Sequence, residues 1–274
     1  MDKELCALLQ ASSDPGSTLT LAGMPQAVRL EAALALLMAR GGVVRMDAAA
    51  RWRLIEAALQ APRPSLAFEA LRRHRVLDAL LPELAGLFGV PQLSSSREWQ
   101  DVGEHQWRFV DEAARVGAPL ESRFAALVHK IGKAGTPREI WPSHYKQEQR
   151  AHAALDALAR RVAVPAAALA FARLAVNELD AVHAVHELRA GPIAQLLARL
   201  QAAEQPERFE QLLALAACDW AAYPGQERTS YPKAPLLRRA LLATQRVDTR
   251  GLSGDAALQA RAEAIHAALR HRYG

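Results

Sequence analysis

Apolar residues recur three and four positions apart along most of the chain, as in "RFEQLLALAACDWAA" and "GPIAQLLARLQAA". That period lays one face of a helix on a core. Alternating, β-branched runs of the kind that mark strands are not evident, and the pattern predicts an all-α protein, a multi-helix bundle. A first helix is expected from Pro25 to Arg40, stopped by Gly41 and Gly42. Two more follow over Met46 to Gln60 and Ser65 to Arg75, parted by "APRP", where proline breaks one helix and Ser65 caps the next. "VLDALLPELAGLFGVPQ" turns the chain repeatedly at Pro82, Gly86, Gly89 and Pro91.

Residues 1 to about 25 read as a loose lead-in, because "ASSDPGSTLT" is turn chemistry with little to bury. "LSSSREWQDVG", Leu93 to Gly103, reads as a linker between an N-terminal helical region over 1–92 and a second helical domain over 104–274. In the second region helices are expected at Glu104 to Gly117, Leu120 to Lys130, Tyr145 to Val162, Pro165 to Leu179, Pro192 to Ala203, Pro206 to Ala222, Ala234 to Thr244 and Ala256 to Tyr273. Pro165, Pro192 and Pro206 each stand where a first helical turn accepts proline. The polar segment from Ile131 to His144 is expected at the surface, and no repeat at a solenoid period is evident.

Composition narrows this picture modestly. With 274 residues the chain can bury a large core without disulfide staples. Cys6 and Cys218 are far apart, and Cys218 sits in an apolar helical pattern that predicts a buried thiol. Neither a signal peptide nor a membrane span is recognisable, so a cytoplasmic protein is expected. The formal net charge of +5 and an isoelectric point of about 9.5 permit a nucleic-acid partner without requiring one. Clusters such as "LRRHRVLD" fit an ordinary solvated face equally well.

Candidate chemistry is concentrated in the second region. His105 in "GEHQWRFV", His129 in "LVHKIGK", His144 in "WPSHYKQE", Asp180 and His183 in "NELDAVH" and Asp219 in "AACDWAA" are the imidazoles and carboxylates that could hold a dication and activate water for phosphohydrolysis. Taken singly, each fits a core or surface role more readily than a ligand role.

The segment "ESRFAALVHKIGKAGTPREIWPSHYKQEQRAHAALDALARRVAVP" resembles the HD domain of bacterial multifunctional CCA-adding tRNA nucleotidyltransferases, a family that extends to poly(A) polymerases. "RPSLAFEALRRHRVLDALLPELAGLFGVPQ" is similar to their helical neck and body, and "ELRAGPIAQLLARLQAAEQPERFEQLLALAACDWAAYPGQERTSYPKAPLLRRAL" to the remaining body and tail. The resemblance covers roughly Met46 to Gln245. It implies a bundle of HD-domain type preceded by a neck-like region, and places an HD site at His105, His129 and Asp219. The family's aspartate after the second histidine is Lys130 here. Its histidine-rich turn survives only as His144, with Tyr145 and Gln147 beside it, and Leu179 stands at another position where the family tends to show histidine, although Asp180 and His183 remain.

Replacing that aspartate by lysine removes a donor atom and sets a cation against the metal. Three outcomes are expected, in this order: loss of the site, with Lys130 snorkelling to solvent at the helix end; an ammonium that binds phosphate directly, with His129 and His144 as neighbours; or metal catalysis. No cofactor is expected under the first. The family's transferase head is not recognisable, since no Asp-x-Asp occurs and "GGVVRMD" reads as a helix stop followed by a cap at Asp47. The neck stretch "AAARWRLIEAAL" keeps Trp52 but has alanine where the family places base-recognising Arg and Glu. Three functions are therefore expected as alternatives. One is a headless, catalytically inactive relative that binds tRNA or a tRNA-like RNA through its helical surface. Another is a metal-dependent phosphatase or 2',3'-cyclic phosphodiesterase using His105, His129, His144 and Asp219. The third is a subunit that meets a separate head domain near the helix from Pro25 to Arg40.

Overall fold

The computed structural model describes residues 2–11, 26–93, 98–226 and 229–270. Among them are fifteen α-helices and one two-stranded antiparallel pair, so the all-α reading holds. The chain divides into two compact units: Met1–Val176 with Ala221–Glu227, and Asn177–Trp220 with Arg228–Gly274.

Unit 1 begins with α1 (Asp2–Ala11), α2 (Gln26–Ala39) and the single turn α3 (Gly42–Arg45). The expected loose lead-in is corrected here. Leu5, Leu8 and Leu9 are buried, so α1 is an amphipathic helix, while 12–25 lie outside the described residues. It packs on α4 (Ala48–Gln60), where the Gln10 amide donates to Gln60 Oε1 at 2.9 Å. Asp47 does cap α4, accepting from Ala50 N at 2.6 Å. After it come α5 (Pro64–Arg73), α6 (Val76–Leu80) and α7 (Pro82–Ala85). Proline opens α5 and α7 at the first turn, where its missing N–H costs no helical bond.

The expected linker is instead a short antiparallel pair, β1 (Pro91–Leu93) with β2 (Trp99–Asp101), in register Pro91↔Asp101, Gln92↔Gln100 and Leu93↔Trp99. The residues on both sides of it belong to unit 1, so the two units part elsewhere in the chain. Short strands with one residue in and one out carry too few positions for alternation to show. The chain continues through α8 (Val102–Arg115), α9 (Leu120–Val128), 3₁₀ turns at Ile131–Lys133 and Arg138–Ile140, and α10 (Gln147–Arg161). The core of this unit is built on Phe68, Phe109, Phe124, Leu54, Ile55 and Leu71, all fully buried. Trp52 of α4 meets Phe124 of α9 edge-on at 5.6 Å, which gives the retained tryptophan a packing role.

The helix α11 (Ala166–His183) runs four residues past the expected Leu179 stop and carries Asp180 and His183 on its last turn. Unit 2 contains α12 (Ala190–Arg199), most of α13 (Pro206–Ala221), α14 (Ala234–Gln245) and α15 (Gly254–Ala268). Within it α12, α14 and α15 pack on one another, and Arg199 clamps Glu178 with two bonds of 2.8 and 2.9 Å. The end of the helix expected from Ala256 to Tyr273 lies partly outside the described residues, but its start is set by Ser253, which accepts from Ala256 N. Cys218 is buried, as its apolar setting predicts, and neither cysteine is in a disulfide. No described helix is long and apolar enough to cross a membrane.

Candidate functional site

Unit 1 assembles the first part of the predicted site at the junction of α8 and α9. Asp101 fixes the start of α8: its Oδ1 accepts from Glu104 N at 2.9 Å and its Oδ2 from Gly89 N at 2.6 Å. The close approach also needs Gly103, because a Cβ there would lie 2.7 Å from the Phe88 ring. His105 follows one turn in, fully buried. Its neighbour Gln106 reaches across and donates to the carbonyls of Ala126 and Leu127 at 2.6 and 3.1 Å. Those carbonyls belong to the last turn of α9, which has no helical donors of its own. Gln106 therefore holds the end of α9 against α8 and sets where His129 and Lys130 emerge. Sequence reasoning passed over it, since a lone glutamine in a helix carries no motif.

Beyond Val128 the chain leaves the α-helix and tightens into the 3₁₀ turn, with Lys133 N bonded to Lys130 O at 2.9 Å. Lys130 stands immediately before this turn, at φ −99° and ψ 15°. The expected snorkelling is corrected: Lys130 is only 4% exposed. Its ammonium lies 3.0 Å from His105 Nε2 and 3.0 Å from the Tyr223 hydroxyl, and 5.2 Å from the centre of the Tyr223 ring. An ammonium has donors and no acceptor, so His105 Nε2 accepts, and its lone pair is committed to the lysine. His105 also packs against Tyr223 with ring centres 4.4 Å apart. His129 is fully buried and meets Phe109 edge-on at 6.2 Å.

Tyr223 is the second residue that sequence reasoning missed. It arrives on the segment Ala221–Glu227, which belongs to unit 1. Arg108 secures that segment, donating to Ala222 O and to Gln100 Oε1 at 2.8 Å each. The available signal was Arg108 itself, one helical turn after His105 on the same face.

His144 is placed by different needs. It is buried, and its Nε2 donates to Pro91 O at 2.7 Å while Nδ1 lies 3.1 Å from Thr136 Oγ1. Nε2 thus fastens the 133–147 loop to β1 while Nδ1 ties the loop to its own Thr136, and burial holds the imidazole below its ordinary pKa. The histidine acts as a loop anchor.

In unit 2, Asp219 is almost fully buried and Asp180 is exposed. His183 Nε2 stands 2.9 Å from Asp219 Oδ2, close enough for an ion pair though not aligned as a hydrogen bond. Its Nδ1 lies 3.0 Å from the Tyr231 hydroxyl. Burial, together with the Asp219 charge, raises the Tyr231 phenol well above its ordinary range, so it remains a protonated donor. The Lys233 ammonium caps the His183 carbonyl and sits 5.5 Å over the Trp220 ring. Leu179, where the resemblance led one to look for histidine, is fully buried.

No family model matches the chain. Individual relatives do. The multifunctional CCA protein of Laribacter hongkongensis is 38% identical over 208 residues, 76% of this chain and 50% of that protein. The one from Verminephrobacter eiseniae is 36% identical over 221 residues, 81% of this chain and 54% of its own length. That of Paracidovorax citrulli is 39% identical over 217 residues, 79% and 50% respectively. The chain belongs to the multifunctional CCA protein family. It spans about half the length of the curated relatives it matches.

The divalent metal implied by the family resemblance does not fit the residues around Lys130. A dication would face the buried ammonium, and at about 4 Å with an effective dielectric near 20 each unit-charge pair opposes binding by about 4 kcal/mol. The His105 Nε2 lone pair is already an acceptor for the lysine. Among the described residues no group of three or more His, Cys, Asp or Glu is arranged to hold a metal ion.

Proposed function

We propose that this chain is a catalytically silent relative of the CCA-adding enzymes that binds RNA of tRNA-like form through its helical surface. The observation that carries the first half is the Lys130 ammonium, buried against His105 and Tyr223. It stands where hydrolysis would need a carboxylate, and it occupies the imidazole that would share the metal. With a cation in place of the family's carboxylate, the anionic donor of that position is gone, and the His105 Nε2 lone pair is taken by the ammonium instead of a metal that would activate water. Phosphate capture by Lys130 is disfavoured for the same reason, since its donors point at protein partners.

RNA binding is supported by the relationship to the multifunctional CCA proteins, since the sequence resembles a family of tRNA nucleotidyltransferases. It is supported also by the net charge of +5, which favours a polyanion. Recognition would rest on phosphate and shape contacts, and so would weaken steeply with salt. A transferase subunit meeting this chain in trans would dock beside α2 and α3, where Leu36 and Val44 are exposed; co-purification from the native host tests that part.

The decisive experiment is retention of labelled tRNA across a salt series, with a random polyanion as competitor, alongside metal analysis and a phosphatase screen with Mn²⁺, Ni²⁺, Co²⁺ and Zn²⁺. The expected result is salt-sensitive retention of tRNA, no bound metal and no turnover. Turnover that depends on a bound dication would overturn the silent reading in favour of a phosphohydrolase. Equal retention of tRNA and random polyanion would remove the RNA reading.

A further inference from the structure

The loop 133–147 is polar in sequence but closely tied to its surroundings, and that tethering has a consequence for one of its side chains. Arg150 of α10 donates to two of its carbonyls, those of His144 and Tyr145, and to that of Gly132 just before it. His144 ties it to Pro91, and Lys133 to Gln92 Oε1 at 2.9 Å. His144 and Lys146 both take left-handed backbone, φ 49° and 62°, a conformation that non-glycine residues hold only when surrounding bonds enforce it. The consequence is that Tyr145 is turned outward, 68% exposed. Its side chain has no part in holding the loop, which engages only its backbone N–H and carbonyl.

Two aromatic–cation pairs result. The Lys146 ammonium lies 5.4 Å over the Tyr145 ring, and the Arg138 guanidinium 5.6 Å over the Trp141 ring. The Trp141 edge is fixed by donation to Thr136 O at 3.1 Å. The β pair to which the loop is fastened adds Trp99, 64% exposed, across from exposed Leu93. From Lys133 to Arg150 there are four Lys or Arg against two carboxylates, Glu139 and Glu148.

We infer that the loop 138–146 is a stacking platform for unpaired nucleotides of an RNA strand. Each ring has a cation over one face; where the other face is open it can take a base, while the cation serves the neighbouring phosphate. Duplex RNA cannot use such rings, because its bases are already stacked. An acidic peptide would engage the cations but not the ring faces, so the exposed Tyr145 ring and the half-buried Trp141 ring, each paired with a cation, favour a nucleic acid. Preordering by Arg150 and His144 means that little loop entropy is lost on binding. The inference rests on the RNA reading above and gives it a place and a strand type.

The test is fluorescence anisotropy at low salt with a labelled ten-nucleotide oligo(A) strand, a duplex RNA of the same length, and tRNA. Tyr145→Ala is expected to weaken the single strand about tenfold, with Tyr145→Phe within about twofold of the original chain and duplex binding unchanged. Lys146→Ala should weaken the single strand less and flatten its salt dependence. If the original chain binds tRNA but Tyr145→Ala and Trp141→Ala bind oligo(A) unchanged, the platform is wrong while the RNA reading stands. If Tyr145→Phe loses as much as Tyr145→Ala, the hydroxyl and not the ring face makes the contact, and the platform is again wrong. Displacement of oligo(A) by polyglutamate at equal charge would show attraction by charge alone and overturn it. Absence of binding to any of the three RNAs removes both the platform and the RNA reading.

Discussion

Lys130→Met tests directly whether the ammonium is held or merely tolerated. Methionine keeps the unbranched length and much of the volume, and removes only the charge and its donors. Among the described contacts, His105 Nε2 and the Tyr223 hydroxyl, each 3.0 Å from the ammonium, lose their donor. Hydrogen bonds from a charged donor contribute about 1.5–3 kcal/mol each, and a buried polar group stripped of its partner costs about 1–3 kcal/mol. Against this stands the desolvation of a lysine that is only 4% exposed, which the substitution relieves by several kcal/mol at most. The remainder is a destabilisation of about 2 kcal/mol. The pairing is isolated by a double-mutant cycle with Tyr223→Phe, which should show a coupling of about 1–2 kcal/mol. Urea denaturation read by tryptophan fluorescence suits this purpose. Trp52, Trp99, Trp107 and Trp141 lie in unit 1 and Trp220 in unit 2, so a Trp220→Phe background reports unit 1 alone. A Lys130→Met variant more stable than the original chain, with additive effects in the cycle, would refute the claim that these two groups hold the ammonium.

Three further outcomes are expected. Lys130→Asp exchanges the repelling cation for an anionic oxygen beside His105 and His129, so Mn²⁺ or Ni²⁺ should raise the variant's Tm by several degrees and leave the original chain unmoved; a thermal shift series reads both. Gly132→Ala should destabilise unit 1 by at least about 3 kcal/mol or prevent folding, because the new Cβ would lie 2.0 Å from Gln147 O and 2.6 Å from Ala151 N. A variant of ordinary stability in chemical denaturation would contradict that close approach. His144, whose folded pKa burial depresses, favours the folded state fully above the unfolded imidazole value of about 6.5. Its contribution is lost as pH falls from there towards the depressed folded value, since the unfolded chain then binds the extra proton. His144→Gln should flatten the loss of stability between pH 7 and 5, measured by denaturation across that range.

The helical class, the positions of most helices and the apolar faces they bury could be read from three- and four-residue spacing, because that period is local and survives without any neighbour. The same locality identified Asp47 as a cap and located His105, His129 and Asp219 on or near helices. Where the reading failed, the missing information was not local. The helix α1 was hidden beside turn-forming residues because three buried leucines reveal their purpose only against α4. The pair β1–β2 spans three residues a strand, too few for a period to declare itself. The inward turn of Lys130 depends on Gln106 and on a tyrosine ninety-three residues away in sequence. What the sequence determined alone was the exchange of a carboxylate for a cation after His129. Only the tertiary structure decided what became of it. Residues of α8 and the Ala221–Glu227 segment converge on that position and supply acceptors for a buried ammonium, which local sequence pattern cannot specify.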